Sequence, residues 1–534
     1  MLSRAAYFLL FFFIALLLSW NSGAFQAELG DSPDEPAHYV TGLMVHDYVA
    51  QGFPGSPMAF ARNYYLHYPK VALGHWPPFF YVVQASWTLV FGVSRLSLVF
   101  LMAAIGALLA TRIFFTMSSV TGLLAALLWL TLPFVQQYNR DVMVEGVIAL
   151  TVLLATDAYG RYLDTERWQP AAWFGLWATL ALLTKGTGMQ LAMVPVVAVL
   201  LTKRWGLLTR GSFWLPALIV AVLAGPWYVW VPGAKHESVG TMGGVGFIPD
   251  RLLGSLTGWV EMLGIVLAVG AVFGLWLAFK VGDRVSRGRW IAGFGALVGA
   301  WFFRLFIGAY EDRHLTANLP ILVMAAVFAG EWLWRKWKST LQLISVNRPL
   351  WSRLCRGALW VGILLPVVLI GLHIRSGPVK RHAGYSEVAA RLVEDYPKSV
   401  ILVCADVEGE GMLIAEVAMR EARPGHYVLR GTKMLATVGW MGGEYTERFD
   451  DTSKMVGFLD SIPVGIVVLG EGSVGSAHGR RLASVVEGKG WEKLPSSTGG
   501  LRVYRAIGHE GRAVGKIEIL MKNGTFGNFS NQPQ

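Results

Sequence analysis

Two adjacent carboxylates, Asp34 and Glu35, lie in Asp31-Ser-Pro-Asp-Glu-Pro-Ala-His-Tyr39, a proline-broken stretch directly after the first apolar segment of the chain. Pro36 suits the first turn of a helix that continues through Tyr39, Leu43 and His46, which sets Asp34 and His38 four apart on one face. A carboxylate positioned this way can serve as a general base toward a hydroxyl. Its plain alternative is an acidic cap that satisfies free helix amides and does no chemistry. A second pair, Asp141 and Glu145, opens a later apolar run, one helical turn apart. Ionisable groups at such depth are costly and usually functional, although Asp141 also suits the positive end of its own helix.

Cations and histidines complete the set. Lys185, in Leu183-Thr-Lys-Gly186, separates two apolar runs, and Arg313, in Tyr310-Glu-Asp-Arg-His314, directly precedes another. A positive group there suits a phosphate carried on a lipid. The competing uses are snorkelling for Lys185 and an ion pair to Glu311 or Asp312 for Arg313. His75, in His75-Trp-Pro-Pro78, and His236, beside Glu237, are candidate ligands for a divalent metal ion. A lone histidine is more often a hydrogen-bonded structural group.

The elements that must carry these residues are mostly membrane spans. Hydrophobic residues make up 54% of the 534 and charged residues 15%, with a mean hydropathy of +0.47. A soluble protein carries roughly 25% charged residues, so the chain reads as a polytopic α-helical membrane protein with room for one further domain. The net charge of +11 is no nucleic-acid footprint, because the basic residues cluster beside apolar segments.

Residues 5–21 follow Arg4 and read as a retained first span rather than a signal peptide. Residues 78–93 are apolar but short of the roughly 20 residues needed to cross. Laying them in the interface leaves spans near 95–115, 119–136, 143–162, 171–184, 187–202, 212–231, 257–280, 290–308, 315–333 and 357–375, about 11 with the first. That parity gathers Arg4 and the basic connectors 161–167, 203–210, 280–289 and 335–356 on the cytoplasmic side, as the positive-inside rule requires. The exterior side receives the loop 22–94, Asp141, Lys185, the loop 232–256 and Tyr310–His314. The two cysteines, Cys355 and Cys404, fall on opposite sides, so no disulfide between them is expected.

A membrane domain over 1–376 is therefore expected, then an exterior domain over 377–508 and a flexible tail at 509–534. Strand-like runs at Val400–Cys404, His426–Leu429, Gly465–Leu469 and Leu501–Tyr504 alternate with helical patterns at 386–396, 409–421, 453–460 and 475–488. Alternation of this kind predicts a small α/β layer. Gly470-Glu-Gly-Ser-Val-Gly475 matches a dinucleotide fingerprint, but the next strand is followed by Arg505 and Ala506 rather than a ribose-binding acid. The glycines read as a tight strand-to-helix turn, and no nucleotide cofactor is expected.

Taken in order, Asp34-Glu35, His75-Trp-Pro-Pro78, Arg140-Asp141, Leu183-Thr-Lys-Gly186, Pro226-Trp-Tyr228 and Arg313 with Pro320 resemble the GT-C glycosyltransferases. The nearest branches are the protein O-mannosyltransferases and the aminoarabinose transferases of lipid A. The resemblance covers roughly residues 1–335, and order and topology carry it, since each motif is short. It implies a polyprenyl-phosphate sugar donor, an active site at the exterior face of the plasma membrane, and inversion at the anomeric carbon. It implies Asp34 as general base, with Glu35 in the same acid pair and Asp141 as a second acid. Lys185 and Arg313 are candidates for the donor phosphate on position and charge. Trp76 stands where family members often carry Lys or His before the Pro-Pro pair. The acceptor, whether lipid, glycan or protein, is not implied. A transporter or flippase of lipid-linked sugars would show repeated halves and ions near mid-bilayer, whereas these acids collect at one face. An oligosaccharide polymerase or ligase shares the lipid carrier, and a scaffold of an envelope complex would need no Asp34.

Overall fold

The computed structural model describes residues 3–117, 119–231, 248–281, 284–306, 311–344, 364–437, 445–495, 500–509, 514–519 and 529–531. His236, Glu237 and Cys355 lie outside the described residues. The first apolar segment is one helix, Arg4–Asn21, whose start is closed by the Ser3 side chain accepting from the Ala6 amide. It packs on the helix Arg95–Thr116, with Tyr7 stacked on Phe114 at 4.0 Å between ring centroids.

Among the described residues, Arg4–Asn21, Arg95–Thr116, Pro249–Val281 and Asp312–Thr340 are long and apolar enough to cross a membrane. The pair Val120–Thr131 and Pro133–Arg140, bent by 67°, makes a fifth if it counts as one span. The expected 11 spans include apolar segments that the structure breaks or charges. Pro133 bends one, because it has no amide to donate and crowds the turn before it. A 3-10 turn after Lys185 shortens the next, and Glu145–Thr165 holds Glu145 and Asp157 on its buried surface. Residues 78–93 form the helix Phe79–Phe91, about 20 Å long at 1.5 Å per residue. Phe80, Tyr81, Gln84, Ala85 and Thr88 are buried, while Val82, Val90 and Phe91 are exposed. One apolar face in and one out is what a surface-lying helix needs. Further on, Gly160 lets Glu145–Thr165 meet Arg284–Phe306, since a Cβ there would lie 2.7 Å from the Arg289 backbone.

The C-terminal part contains a five-stranded sheet: β1 (Val400–Cys404), β2 (Val428–Arg430), β3 (Val464–Leu469), β4 (Trp491–Leu494) and β5 (Arg502–Ala506), in the order β2-β1-β3-β5-β4. β1 runs parallel to both neighbours, Leu402 facing Leu429 on one side and Val467 on the other, and β5 and β4 close the sheet antiparallel. Every residue of β1 is buried, the pattern of a parallel strand covered on both faces. Gly472, at φ 77°, makes the turn that leads from β3 toward the helix Ala477–Val486. The stretch expected to be a free tail differs in part. Ile517 and Ile519 are buried, and Glu518–Ile519 pairs with Phe529–Ser530, because these side chains are apolar enough to gain from the core.

Buried apolar side chains fall into two clusters. One fills the helical bundle; the other runs from β1 and β3 through Met412 and Leu413 to Tyr39, Leu43 and Tyr64, and on to Leu98 and Met102. The α/β layer therefore shares a core with the short helices Glu35–Ala50 and Pro57–His67. Asp47 reinforces the junction, accepting both arms of Arg423 at 2.8 and 3.0 Å and the Tyr64 hydroxyl at 2.9 Å.

Candidate active site

The helix Glu35–Ala50 starts where Pro36 predicts, with Asp34 at its cap position. The Asp34 carboxylate nevertheless accepts no helix amide. It turns to Arg313, 2.6 Å away, and 27% of the side chain stays exposed. Asp34 is thus not spent on capping.

Arg313 is delivered by the 3-10 turn Asp312–Asn318, where Glu311 is the cap and pairs with the same guanidinium at 2.7 Å. Asp312 goes to Arg304 instead, at 3.1 Å. Lys185 stands in extended backbone before the 3-10 turn Gly186–Ala192, and its Nζ donates to Glu145 Oε1 at 2.8 Å. Burial disfavours charge on Asp34, but Arg313 foremost, and Lys185 with it, outweigh it and hold the carboxyl below its ordinary range. His38, one turn along, is pushed down to about 4 by burial and so is neutral at pH 7. Its Nδ1 meets the Tyr81 hydroxyl at 2.8 Å and its ring lies on Trp76, 4.1 Å between centroids.

Glu35 faces away from this group. Its carboxylate takes the Val142 amide at 3.0 Å, the Asp31 amide at 3.3 Å and the Lys380 ammonium. Lys380 also reaches Asp141 at 3.2 Å, and Arg140 bridges Asp31 and Asp141 while donating to the Pro378 carbonyl at 2.6 Å. Glu35 and Asp141 are fully buried. Burial raises the Asp141 carboxyl, Lys380 and Arg140 pull it down, and Glu35 and Asp31 add to the rise, leaving it at about 7.

The structure therefore brings Asp34, Arg313, Lys185 and Glu145 to one partly open group, and sets Glu35 and Asp141 in a closed one beside it. Sequence reasoning missed Lys380 and Glu28. Glu28 accepts the amides of Ala383, Gly384 and Ser386 at 2.8 to 3.2 Å and so caps the helix Tyr385–Asp395. The signal for Lys380 was present: Lys380-Arg-His382 is a basic run on the side expected to be poor in cations.

For a metal, the described residues offer one group with ligand atoms close enough, Glu28, His382 and Glu387. It fits poorly, since both Glu28 oxygens already hold backbone amides. His75 is half-buried and not part of such a group, and His236 lies outside the described residues.

Residues 75–230, which carry His75, Asp141, Glu145 and Lys185, match the family described as dolichyl-phosphate-mannose-protein mannosyltransferase. No curated protein matches the chain. Among solved structures, ArnT from Cupriavidus metallidurans in the apo state superposes with a TM-score of 0.60 at 15% identity, covering 96% of this chain and 100% of that one. The same protein bound to undecaprenyl phosphate gives 0.56 at 15% identity, with the same coverage. The Archaeoglobus fulgidus oligosaccharyltransferase tethered to an acceptor peptide gives 0.55 at 15% identity, covering 94% of this chain and 74% of that chain. The chain thus resembles the GT-C glycosyltransferases in sequence over 75–230 and in fold over nearly its whole length. At this identity the structural likeness concerns the fold alone.

Proposed function

We propose, taking the GT-C fold as premise, that the protein transfers a sugar from a polyprenyl-phosphate donor to an acceptor hydroxyl, with inversion, at the exterior face of the plasma membrane. One observation carries the reading. Asp34 sits at a helix start without capping it, partly open, and paired with Arg313 within the field of Lys185.

The chemistry follows from those residues. A sugar held on a lipid phosphate is already activated, because the phosphate departs with its electron pair when nearby cations take up the growing charge. Lys185 and Arg313 are the cations at hand, and each is neutralised by a carboxylate, Glu145 or Asp34, until phosphate arrives. As Arg313 turns toward the phosphate, Asp34 loses its counter-ion and becomes a stronger base. Its free oxygen takes the acceptor proton while the acceptor oxygen bonds to the anomeric carbon from the face opposite the leaving phosphate. Asp141 and Glu35 support the loop that carries Asp34. No step needs a metal ion held by the Glu28 group. ArnT was solved with undecaprenyl phosphate and the oligosaccharyltransferase with an acceptor peptide; a lipid-phosphate donor is in keeping with both, and the acceptor class stays open.

The test is transfer of radiolabelled sugar from polyprenyl phosphate by purified protein in lipid nanodiscs, with total membrane hydroxyl compounds as acceptors. Transfer by the native protein that is lost in Asp34→Asn supports the reading. Transport of lipid-linked sugar across a bilayer without transfer would replace it with the flippase alternative. The side is tested with cysteines placed at exposed Ser484 and Ser339. An impermeant thiol reagent, applied outside after permeabilising any outer membrane, should label only the first.

A further inference from the structure

Lys380 arrives from a part of the chain that the family match does not reach, yet its side chain is 1% exposed and ends between Glu35 and Asp141. The next two residues, Arg381 and His382, also meet carboxylates, and they point elsewhere. Arg381 pairs with Glu471 and approaches Asp406 at 3.9 Å, at the carboxyl ends of β3 and β1. His382 meets Glu28 at 3.1 Å. The backbone between them is fixed as well: the Lys380 amide donates to the Ser22 carbonyl at 2.7 Å and the Arg381 amide to Asp31 Oδ1 at 3.0 Å. Residues 380–382 therefore stitch together the end of the first helix, the Asp31–Glu35 loop and the carboxyl edge of the sheet.

The loop itself is short and proline-broken, and the Asp34 side chain makes no cap hydrogen bond to the helix, which holds Asp34 only through the His38 amide on its carbonyl at 2.8 Å. What fixes it are neighbours on each side. Lys70 donates to the Pro33 carbonyl at 3.0 Å, Arg140 holds Asp31, and Lys380 holds Glu35, the residue next to Asp34. Around Lys380 the closed group counts three carboxylates, Asp31, Glu35 and Asp141, against two cations, Arg140 and Lys380. Removing one cation from a group already short of positive charge forces a carboxylate to move or to take up a proton.

We infer that Lys380 is a positioning residue: by clamping Glu35 and Asp141 it sets the Asp31–Glu35 loop, and it makes the segment leading into the α/β layer part of the site. The inference rests on the proposed transfer only for its kinetic readout. It does not touch substrate, so its loss should leave donor binding at Lys185 and Arg313 alone and disturb the placement of Asp34, where near-attack geometry tolerates little displacement.

The experiment compares native protein, Lys380→Met and Lys380→Arg, full-length in nanodiscs, by amide hydrogen exchange over residues 28–42 and by kcat and KM for the lipid donor across pH 5–9. For Lys380→Met, exchange in the loop should rise at least tenfold and kcat fall tenfold or more, with donor KM within twofold. The acid limb of the pH profile should move upward, because Asp141 loses the cation that pulls its carboxyl down against burial, with Arg140 still beside it and the charges of Glu35 and Asp31 adding to the rise. Lys380→Arg should recover part of both readouts. Native exchange and native kcat in a folded Lys380→Met variant would overturn the inference. If that variant does not fold, the triple change Lys380→Met, Glu35→Gln, Asp141→Asn removes the unpaired charges. Restored folding with kcat still depressed and the loop still exchanging fast supports positioning; restored folding with native exchange and kcat rejects it. Absence of transfer in the native protein, with loop exchange still raised in Lys380→Met, would sink the proposed function and leave the positioning role standing.

Discussion

Each end of the helical bundle sets a carboxylate against arginine, but with opposite balances of charge. At one end Asp34, 27% exposed, shares Arg313 with Glu311, and Lys185 is answered by Glu145. At the other, about 18 Å further along the helix that Glu145 begins, Asp157 is 2% exposed and takes Arg112, Arg161 at 3.2 Å and Arg289 at 2.7 Å. The first end pairs each cation with an acid and leaves one acid partly open, so an arriving anion can displace a carboxylate and free it. The second gives one acid to three guanidiniums, so nothing is released when an anion comes or goes. The first arrangement suits chemistry; the second ties helices together and leaves surplus positive charge.

The largest effect expected from this contrast is at Asp34. Asp34→Asn keeps the shape but cannot accept the acceptor proton, and loss of a positioned base costs about a hundredfold to ten-thousandfold in rate. Asp34→Glu should recover little, because the longer stem displaces the carboxylate. Both variants should still bind lipid donor, measured by retention of labelled polyprenyl phosphate on purified protein. Near-native transfer by Asp34→Asn would remove the distinction between the two ends.

Asp157 should behave in the reverse way, through stability rather than rate. Asp157→Asn leaves Arg112, Arg161 and Arg289 facing one another without a counter-charge, and breaking a buried pair of this kind costs about 3 kcal/mol or more. The expected result is a lower thermal midpoint in nanodiscs, with kcat per folded molecule within about twofold of native. A change in kcat without a change in midpoint would place Asp157 in the working machinery.

The two cations proposed to hold the donor phosphate come next. Arg313→Ala or Lys185→Ala should weaken donor binding by about 1.5–3 kcal/mol, the range for a lost charged hydrogen bond, and leave acceptor binding nearly unchanged. Arg313→Ala carries a pH signature too. Arg313 is the main group holding the Asp34 carboxyl below its ordinary value against burial. Its removal raises that value, so the acid limb of kcat should shift to higher pH, and activity should fall at a pH where the native enzyme is still ionised. Unchanged donor affinity in both variants would leave the two cations as anchors, like those around Asp157.

Much of the open site was readable from sequence because each of its residues stands at the end of an apolar run, where the cost of burying charge makes it conspicuous. Asp34, Lys185 and Arg313 were marked in this way, and the helix start at Pro36 and the strands of the α/β layer follow from turn chemistry and apolar runs. The pairing was not readable. Arg313 shows local partners in Glu311 and Asp312, and the link to Asp34 joins residues that only the fold brings together. The closed group was harder still, since Lys380 lies 345 positions from Glu35, and nothing in local spacing points from one to the other. Among the described residues, fewer helices are long and apolar enough to cross than the expected 11, and the reason is physical as well. Hydropathy counts apolar residues, while Pro133 and the turn at Lys185 break helices without lowering it much.

The smallest effect should come from Arg161, and it sharpens the contrast from within the anchoring end. Arg161 sits four residues after Asp157 on the same helix and its side chain is 58% exposed, against 32% for Arg289. An exposed pair at this spacing contributes about 0.3–0.5 kcal/mol, because water screens it and the long side chain loses freedom to make it. Arg289 is different: its Nε meets Asp157 at 2.7 Å, its Nη1 donates to the Thr116 carbonyl, and its backbone packs on Gly160. Arg161→Gln should therefore shift the thermal midpoint by about a degree, within what high salt alone removes from the native protein, and leave transfer untouched. Arg289→Gln should cost several times more and resist salt, because it joins two helices where solvent is largely excluded. Equal losses for the two arginines would mean that the far end is held by summed surface charge rather than by the buried tie through Asp157.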